Sequence, residues 1–215
     1  MEFKGMKVNF LGDSITEGVG VSSIEKRFPD VFGRKTGALV RNYGISGSRI
    51  ARQKRNELHQ DRQSYVERYD QMDKDADLIV VFGGTNDFGH GDSTFGQFDD
   101  TDEYTFCGAM NSLLSGLIAA YPAARIVIMT PMHRLSENVT VNEIGLPCRP
   151  LAEYVAMEKR IAEKYSVPVL DLWGCSGMQP CIPAQKELYV PDGLHPNDRG
   201  AERIADMLIR FVRDL

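Results

Sequence analysis

The chain has 215 residues, 42% of them hydrophobic and 26% charged, with 25 basic against 30 acidic side chains and a formal net charge of -5. This length and apolar content suit a single domain over residues 1–215, built on one sizeable core. The acidic balance leaves no broad cationic surface to offset a phosphate backbone, which excludes nucleic acid as an expected partner, and no run approaches the roughly 20 apolar residues of a membrane span.

The N-terminal stretch "MEFKGMKVNFLGDS" has no long apolar core or small-residue cleavage site, so the expected compartment is the cytoplasm. The first apolar run, "KVNFLG" (7–12), reads as a strand, and "GALVRNYG" (37–44) as a second. The basic cluster "RIARQKRNELHQDRQ" (49–63), followed by the acidic "DQMDKDAD", reads as a solvated helical face. A third strand is expected at "DLIVVFGG" (77–84) and a fourth at "ARIVIMTP" (124–131), with a helical pattern over 103–122 between them. A second helical pattern (149–166) precedes a fifth strand, "VPVLDLW" (167–173), and a third closes the chain (199–215). The four cysteines lack paired CxxC spacing and are expected as reduced, mostly buried thiols, although the spacing of Cys175 and Cys181 would permit a bridge.

Alternating strands and helices predict an α/β fold with a parallel sheet covered on both faces, because each parallel connection must cross over the sheet. Ligands then bind beyond the carboxyl ends of the strands. The residues there are Asp13 and Ser14, "NYGISGS", "GGTNDFGHG", "TPMHR" and "WGCSGMQP" with the following "VPDGLHPND". Three connections, 88–104, 133–149 and 173–191, are long enough to shape a pocket.

A serine hydroxyl needs a base within hydrogen-bond reach and a group to hold that base. Among the four histidines, His59 lies in a charged segment, His90 in a Gly-rich loop and His133 after a strand. Only His195 carries an acid at a close loop spacing, Asp192, three residues earlier. Pro196 keeps His195 out of helical geometry, with Asn197 or Asp198 capping the next helix. An Asp–His pair at this spacing also serves merely to stabilise a turn. Gly47 offers a backbone N–H, Asn86 a side-chain amide and Ser14 its own N–H for a developing oxyanion. Gly47 is also an ordinary turn glycine, and Asn86 a residue suited to an Asx turn.

In this order, "GDSI", "NYGISG", "GGTND" and "DGLHPN" resemble the four sequence blocks of the GDSL esterase/lipase family, the SGNH hydrolases. The resemblance runs from residue 6 to the C-terminus. It implies a flavodoxin-like three-layer α/β/α sandwich with five parallel strands. It also implies Ser14 as nucleophile, His195 as general base and acid, Asp192 as its orienting acid, and an oxyanion hole made by the Ser14 amide, the Gly47 amide and the Asn86 side chain. Ile15 stands where the family name has leucine, and no GxSxG elbow occurs. The implied activity is hydrolysis of a carboxylic ester through an acyl-serine. A short acyl or acetyl ester of a small soluble or carbohydrate alcohol is the first expectation; a lysophospholipid or thioester, acyl transfer, and non-catalytic carbohydrate binding are the alternatives.

Other constellations are weaker. His90, Asp92, Asp99, Asp100 and Asp102 have no compact metal-ligand spacing and read as a flexible acidic loop, so no metal is expected. The "GGTND" glycines match neither GxGxxG nor a Walker motif, so no nucleotide or other cofactor is expected. Phe88, Phe95, Phe98 and Trp173 sit where they would contact a sugar or acyl chain, or cover the core. Self-association into a homo-oligomer is left open.

Overall fold

Five strands, β1 (Lys7–Gly12), β2 (Leu39–Gly44), β3 (Leu78–Phe82), β4 (Arg125–Met129) and β5 (Val169–Leu170), pair in parallel in the order β2-β1-β3-β4-β5. The computed structural model describes residues 2–54 and 64–215. The connecting helices are α1 (Ser14–Glu17), α2 (Phe28–Thr36), α3 (Tyr65–Arg68), α4 (Thr85–His90), α5 (Phe106–Ala120), α6 (Leu151–Lys164), α7 (Leu172–Cys175), α8 (Pro183–Tyr189) and α9 (Asp198–Arg213).

Strand periodicity divides the core in two. In β3, Ile79 and Val81 join the cluster containing Leu113, Leu117 and Ile161 of α5 and α6. Leu78, Val80 and Phe82 join the cluster containing Phe28 and Phe32 of α2 and Ile204 and Leu208 of α9. All five β3 side chains are buried, so the strand reads as an unbroken apolar run and must be covered on both sides. Each such side chain stabilises the fold by roughly 1.5–3 kcal/mol. The result is the expected three-layer α/β/α sandwich with the flavodoxin-like strand order. From β1 the chain steps outward to β2, then returns across to β3. The switch point, and with it the crevice, therefore lies between β1 and β3.

The expected first strand coincides with β1. The fifth is shorter than expected because Asp171 leaves it to cap α7, accepting the Gly174 N–H at 2.9 Å. Helix α2 was absent from the expected patterns: its apolar Phe28, Val31 and Phe32 are interrupted by Pro29 and Gly33. Helix α9 begins where predicted, with Asn197 accepting the Arg199 and Gly200 N–H groups.

Three expectations need correction. The described part of the basic cluster is not a solvated helix: Arg49 is buried, with its guanidinium on the His90 carbonyl at 2.9 Å, and Arg52 pairs with Glu67 and Glu103. The remainder of the cluster, with His59, lies outside the described residues. Of the four cysteines, all free, only Cys107 is buried; Cys175 and Cys181 are exposed and unbridged. The acidic loop is tied down rather than loose. Thr94 and Thr105 form a bridge across it, and the Asn111 amide donates to the Phe98 and Asp100 carbonyls at 2.8 and 3.1 Å.

Candidate active site

Strand β1 ends at Gly12, and Asp13 turns the chain into α1 by accepting the Ile15 N–H at 2.9 Å. The cap is thus Asp13, and the Ser14 hydroxyl is left for another partner. That partner is the His195 imidazole, whose Nε2 is 2.9 Å from Ser14 Oγ across 181 positions of sequence. On the other side of the ring, Nδ1 is 2.7 Å from Asp192 Oδ2. An ionised carboxylate can only accept, which puts the proton on Nδ1 and leaves Nε2 as acceptor for the serine hydroxyl. Partial burial opposes ionisation of Asp192, but the His195 and Leu194 amides and the imidazole outweigh it and hold its pKa below the usual carboxylate value.

The histidine segment is braced from the loop after α1. Gly20, at φ +95°, lies so close that an added Cβ would stand 2.7 Å from the Pro196 carbonyl oxygen and 3.0 Å from His195 Cβ. Ser22 donates through its N–H and hydroxyl to the Asp198 carboxylate at 2.8 and 2.7 Å.

On the β2 side, the Ile45 N–H donates to the Gly12 carbonyl at 3.0 Å, anchoring the next loop beside the end of β1. Gly47 adopts φ +73°, which favours glycine. The Asn86 amide, carried by α4 at the end of β3, donates to the Ser48 carbonyl at 3.0 Å and so ties that loop to the β3 side of the crevice. Glu17 accepts from the N–H and hydroxyl of Ser46. The Ser14 and Gly47 N–H groups have no acceptor among the described residues. With the second Asn86 amide hydrogen they are suited to an anionic oxygen. Asn86→Ala should lower kcat about 100-fold on an aryl acetate while leaving KM near its original value. Matched kinetics on a variant of unchanged melting temperature check this.

Sequence reasoning missed the polar scaffold beneath these groups. Arg68, almost fully buried, donates to the Tyr43 and Gly12 carbonyls, at 2.5 and 2.7 Å, joining the ends of β2 and β1. Asp87 accepts the Ile50 and Ala51 N–H groups at 2.9 and 3.0 Å. Asp13 and Asp87 lie within the "GDSI" and "GGTND" blocks, which imply no role for them. Arg68 and the buried Glu158 of α6 carried no local signal. Desolvation is the main cause of the raised pKa values here, about 7 for Asp13 and about 6 for Asp87, and it pushes Glu158 well above the carboxylate range.

A raised acid reverses the usual pH trend. Between the ordinary value of 3.8 and about 7, folded Asp13 keeps a proton that the unfolded chain releases. Its contribution is therefore present at low pH and lost as pH rises through that window. The fall in unfolding free energy from pH 5 to 7.5 should be smaller in Asp13→Asn by about 2 kcal/mol, as measured by urea denaturation. The amide oxygen retains the helix cap.

The remaining candidates disperse. His90, Asp92, Asp99, Asp100 and Asp102 do not converge: Asp99 pairs with Lys164, while Asp100 and Asp102 accept local backbone N–H groups. Among the described residues no three His, Cys, Asp or Glu side chains form a metal-binding group. Phe88 and Phe95 are buried against Tyr154, and Phe98 is covered by Arg160 and Lys164. Trp173 stays partly exposed and stacks on His133. Among the described residues no helix is long and apolar enough to cross a membrane.

The chain and its fold have relatives. A protein of known structure from Lactobacillus plantarum is 33% identical, covers 98% of both chains and superposes with a TM-score of 0.84. The lipase/acylhydrolase from Enterococcus faecalis, 20% identical over 97% of this chain and 96% of its own, shares the fold with a TM-score of 0.67. An acetylxylan esterase from Xylanibacter ruminicola is 23% identical over 226 residues; the match takes in 97% of this chain but only 43% of that relative's length. Residues 10–203 match the GDSL-like Lipase/Acylhydrolase family model, which spans the crevice and every side chain described around it, and the chain belongs to that family.

Proposed function

We propose that this protein is a serine esterase that cleaves a short acyl ester, most simply an acetyl ester, of a small soluble or carbohydrate alcohol. The observation that carries the reading is the hydrogen-bonded series Ser14–His195–Asp192, with separations of 2.9 and 2.7 Å. Ser14 Oγ attacks the ester carbonyl while His195 Nε2 takes its proton, and the carbonyl oxygen, now anionic, is received by the Ser14 and Gly47 amides and the Asn86 side chain. Collapse of the tetrahedral adduct breaks the bond to the alcohol oxygen, which leaves with the proton from His195. Water, deprotonated by the same imidazole, then attacks the acyl-serine, and collapse of this second adduct expels Ser14 Oγ, which takes the proton back from His195 as the carboxylic acid is released. Family membership and the acetylxylan esterase relative support ester hydrolysis in general.

Treatment with a fluorophosphonate probe followed by peptide mapping tests the nucleophile. Covalent labelling at Ser14 is expected, and an unlabelled native protein would overturn the reading. A panel of acetylated sugars, longer p-nitrophenyl esters, lysolipids and acyl thioesters tests the substrate, with acetyl esters expected to give the highest kcat/KM.

A further inference from the structure

A second histidine–carboxylate pair stands beside the catalytic loop and has no part in the scheme above. His133 follows β4, and its ring lies 3.8 Å from that of Trp173, at 34°, just after β5. The backbone N–H of Trp173 donates to the Thr130 hydroxyl at 3.0 Å. Glu137, 8% exposed, accepts from the Arg134 N–H at 3.0 Å and faces His133 Nδ1 with both oxygens, at 3.0 and 3.1 Å. The carboxylate draws the ring proton to Nδ1 and leaves Nε2 as an acceptor. The His133 side chain is 23% exposed, and its Nε2 has no hydrogen-bond partner among the described residues.

The position is informative. Leu135, two residues on, donates its N–H to the Gly193 carbonyl at 2.9 Å, and Gly193 lies between Asp192 and His195. The segment holding His133 is therefore fastened to the loop that must protonate the leaving alcohol. Since the leaving alcohol takes its proton from His195, a group fastened beside the His195 loop stands on the side from which the alcohol departs. A partly exposed acceptor fixed in tautomer by a buried carboxylate, with its ring against an indole, is suited to a hydroxyl of a polyhydroxylated alcohol.

We infer that His133, held by Glu137 and Trp173, is a recognition residue that accepts a hydrogen bond from a free hydroxyl of the sugar or polyol leaving group. The inference rests on the esterase reading and adds to it the side and the chemistry of alcohol selection. The test compares kcat/KM for a methyl O-acetyl-xylopyranoside with that for p-nitrophenyl acetate. The acyl group is the same, and only the sugar offers alcohol hydroxyls.

His133→Phe keeps a ring against Trp173 and removes both nitrogens, and should lower the sugar-to-aryl ratio about tenfold. His133→Gln returns an acceptor near Nε2 and should recover part of the ratio. An unchanged ratio in His133→Phe, an equal fall on both esters, or a wild-type protein that cleaves the aryl ester but not the sugar ester would overturn the inference while leaving the esterase standing. A wild-type protein that cleaves neither ester and takes up no fluorophosphonate would remove both readings.

Discussion

Ser14→Ala should reduce kcat/KM toward p-nitrophenyl acetate by about 10⁵-fold, with the melting temperature held within a few degrees. Both halves follow from the turn after β1. The helix cap there is Asp13, so removal of the serine hydroxyl leaves the Ile15 N–H satisfied and the local fold intact. What is lost is the oxygen that Nε2 of His195 faces at 2.9 Å. His195→Ala should cost nearly as much, because an unassisted hydroxyl is a poor nucleophile at neutral pH. The informative measurement is the double variant. Two groups that act as a unit lose almost everything on the first deletion, so Ser14→Ala with His195→Ala should be no slower than either alone within about tenfold. Losses that multiply would show the two side chains contributing independently, and would contradict the proton transfer between them.

Much of this was legible in the sequence because it was written locally. Val- and Ile-rich runs ending at glycine placed the strands, and the parallel sheet fixed which edge would gather their ends. Asp192 and His195 lie three residues apart in a Pro-braced loop, so their pairing needs little long-range information. The contact between His195 and Ser14 is different in kind: it spans 181 positions, and only the ordered family blocks anticipated it. The interior polar scaffold had no such aid. Arg68 reads as one more charge on a short helix, yet it is buried and joins two strand ends; Glu158 reads as an exposed position of α6 and is sealed beneath α4. Burial of a charge depends on what packs over it, and hydrophobic periodicity says nothing about that. The His133–Trp173 contact was hidden for a related reason, since the two residues follow different strands and meet only because β4 and β5 are neighbours.

Asp192→Asn should lower kcat by about 10³-fold while leaving the loop in place. Asp192 Oδ1 accepts the Leu194 and His195 N–H groups at 2.8 and 2.7 Å, and an asparagine carbonyl can keep both. Its amide nitrogen then faces Nδ1 and donates where the carboxylate accepted. The imidazole must answer with the other tautomer, which moves the proton to Nε2 and leaves nothing there to receive the serine proton. The side chain of Asp192 is 53% exposed, so water relieves part of this mismatch and the loss is smaller than for Ser14. Asp192→Ala separates the two duties of the carboxylate: it frees both amides as well as the ring. Asp192→Asn should accordingly match the wild type in melting temperature and in loop-amide hydrogen exchange, with slow fluorophosphonate labelling, whereas Asp192→Ala should show faster exchange at Leu194 and His195. If Asp192→Asn reacts at the wild-type rate, the proton on Nδ1 is held by some other group, and the orienting role leaves this residue.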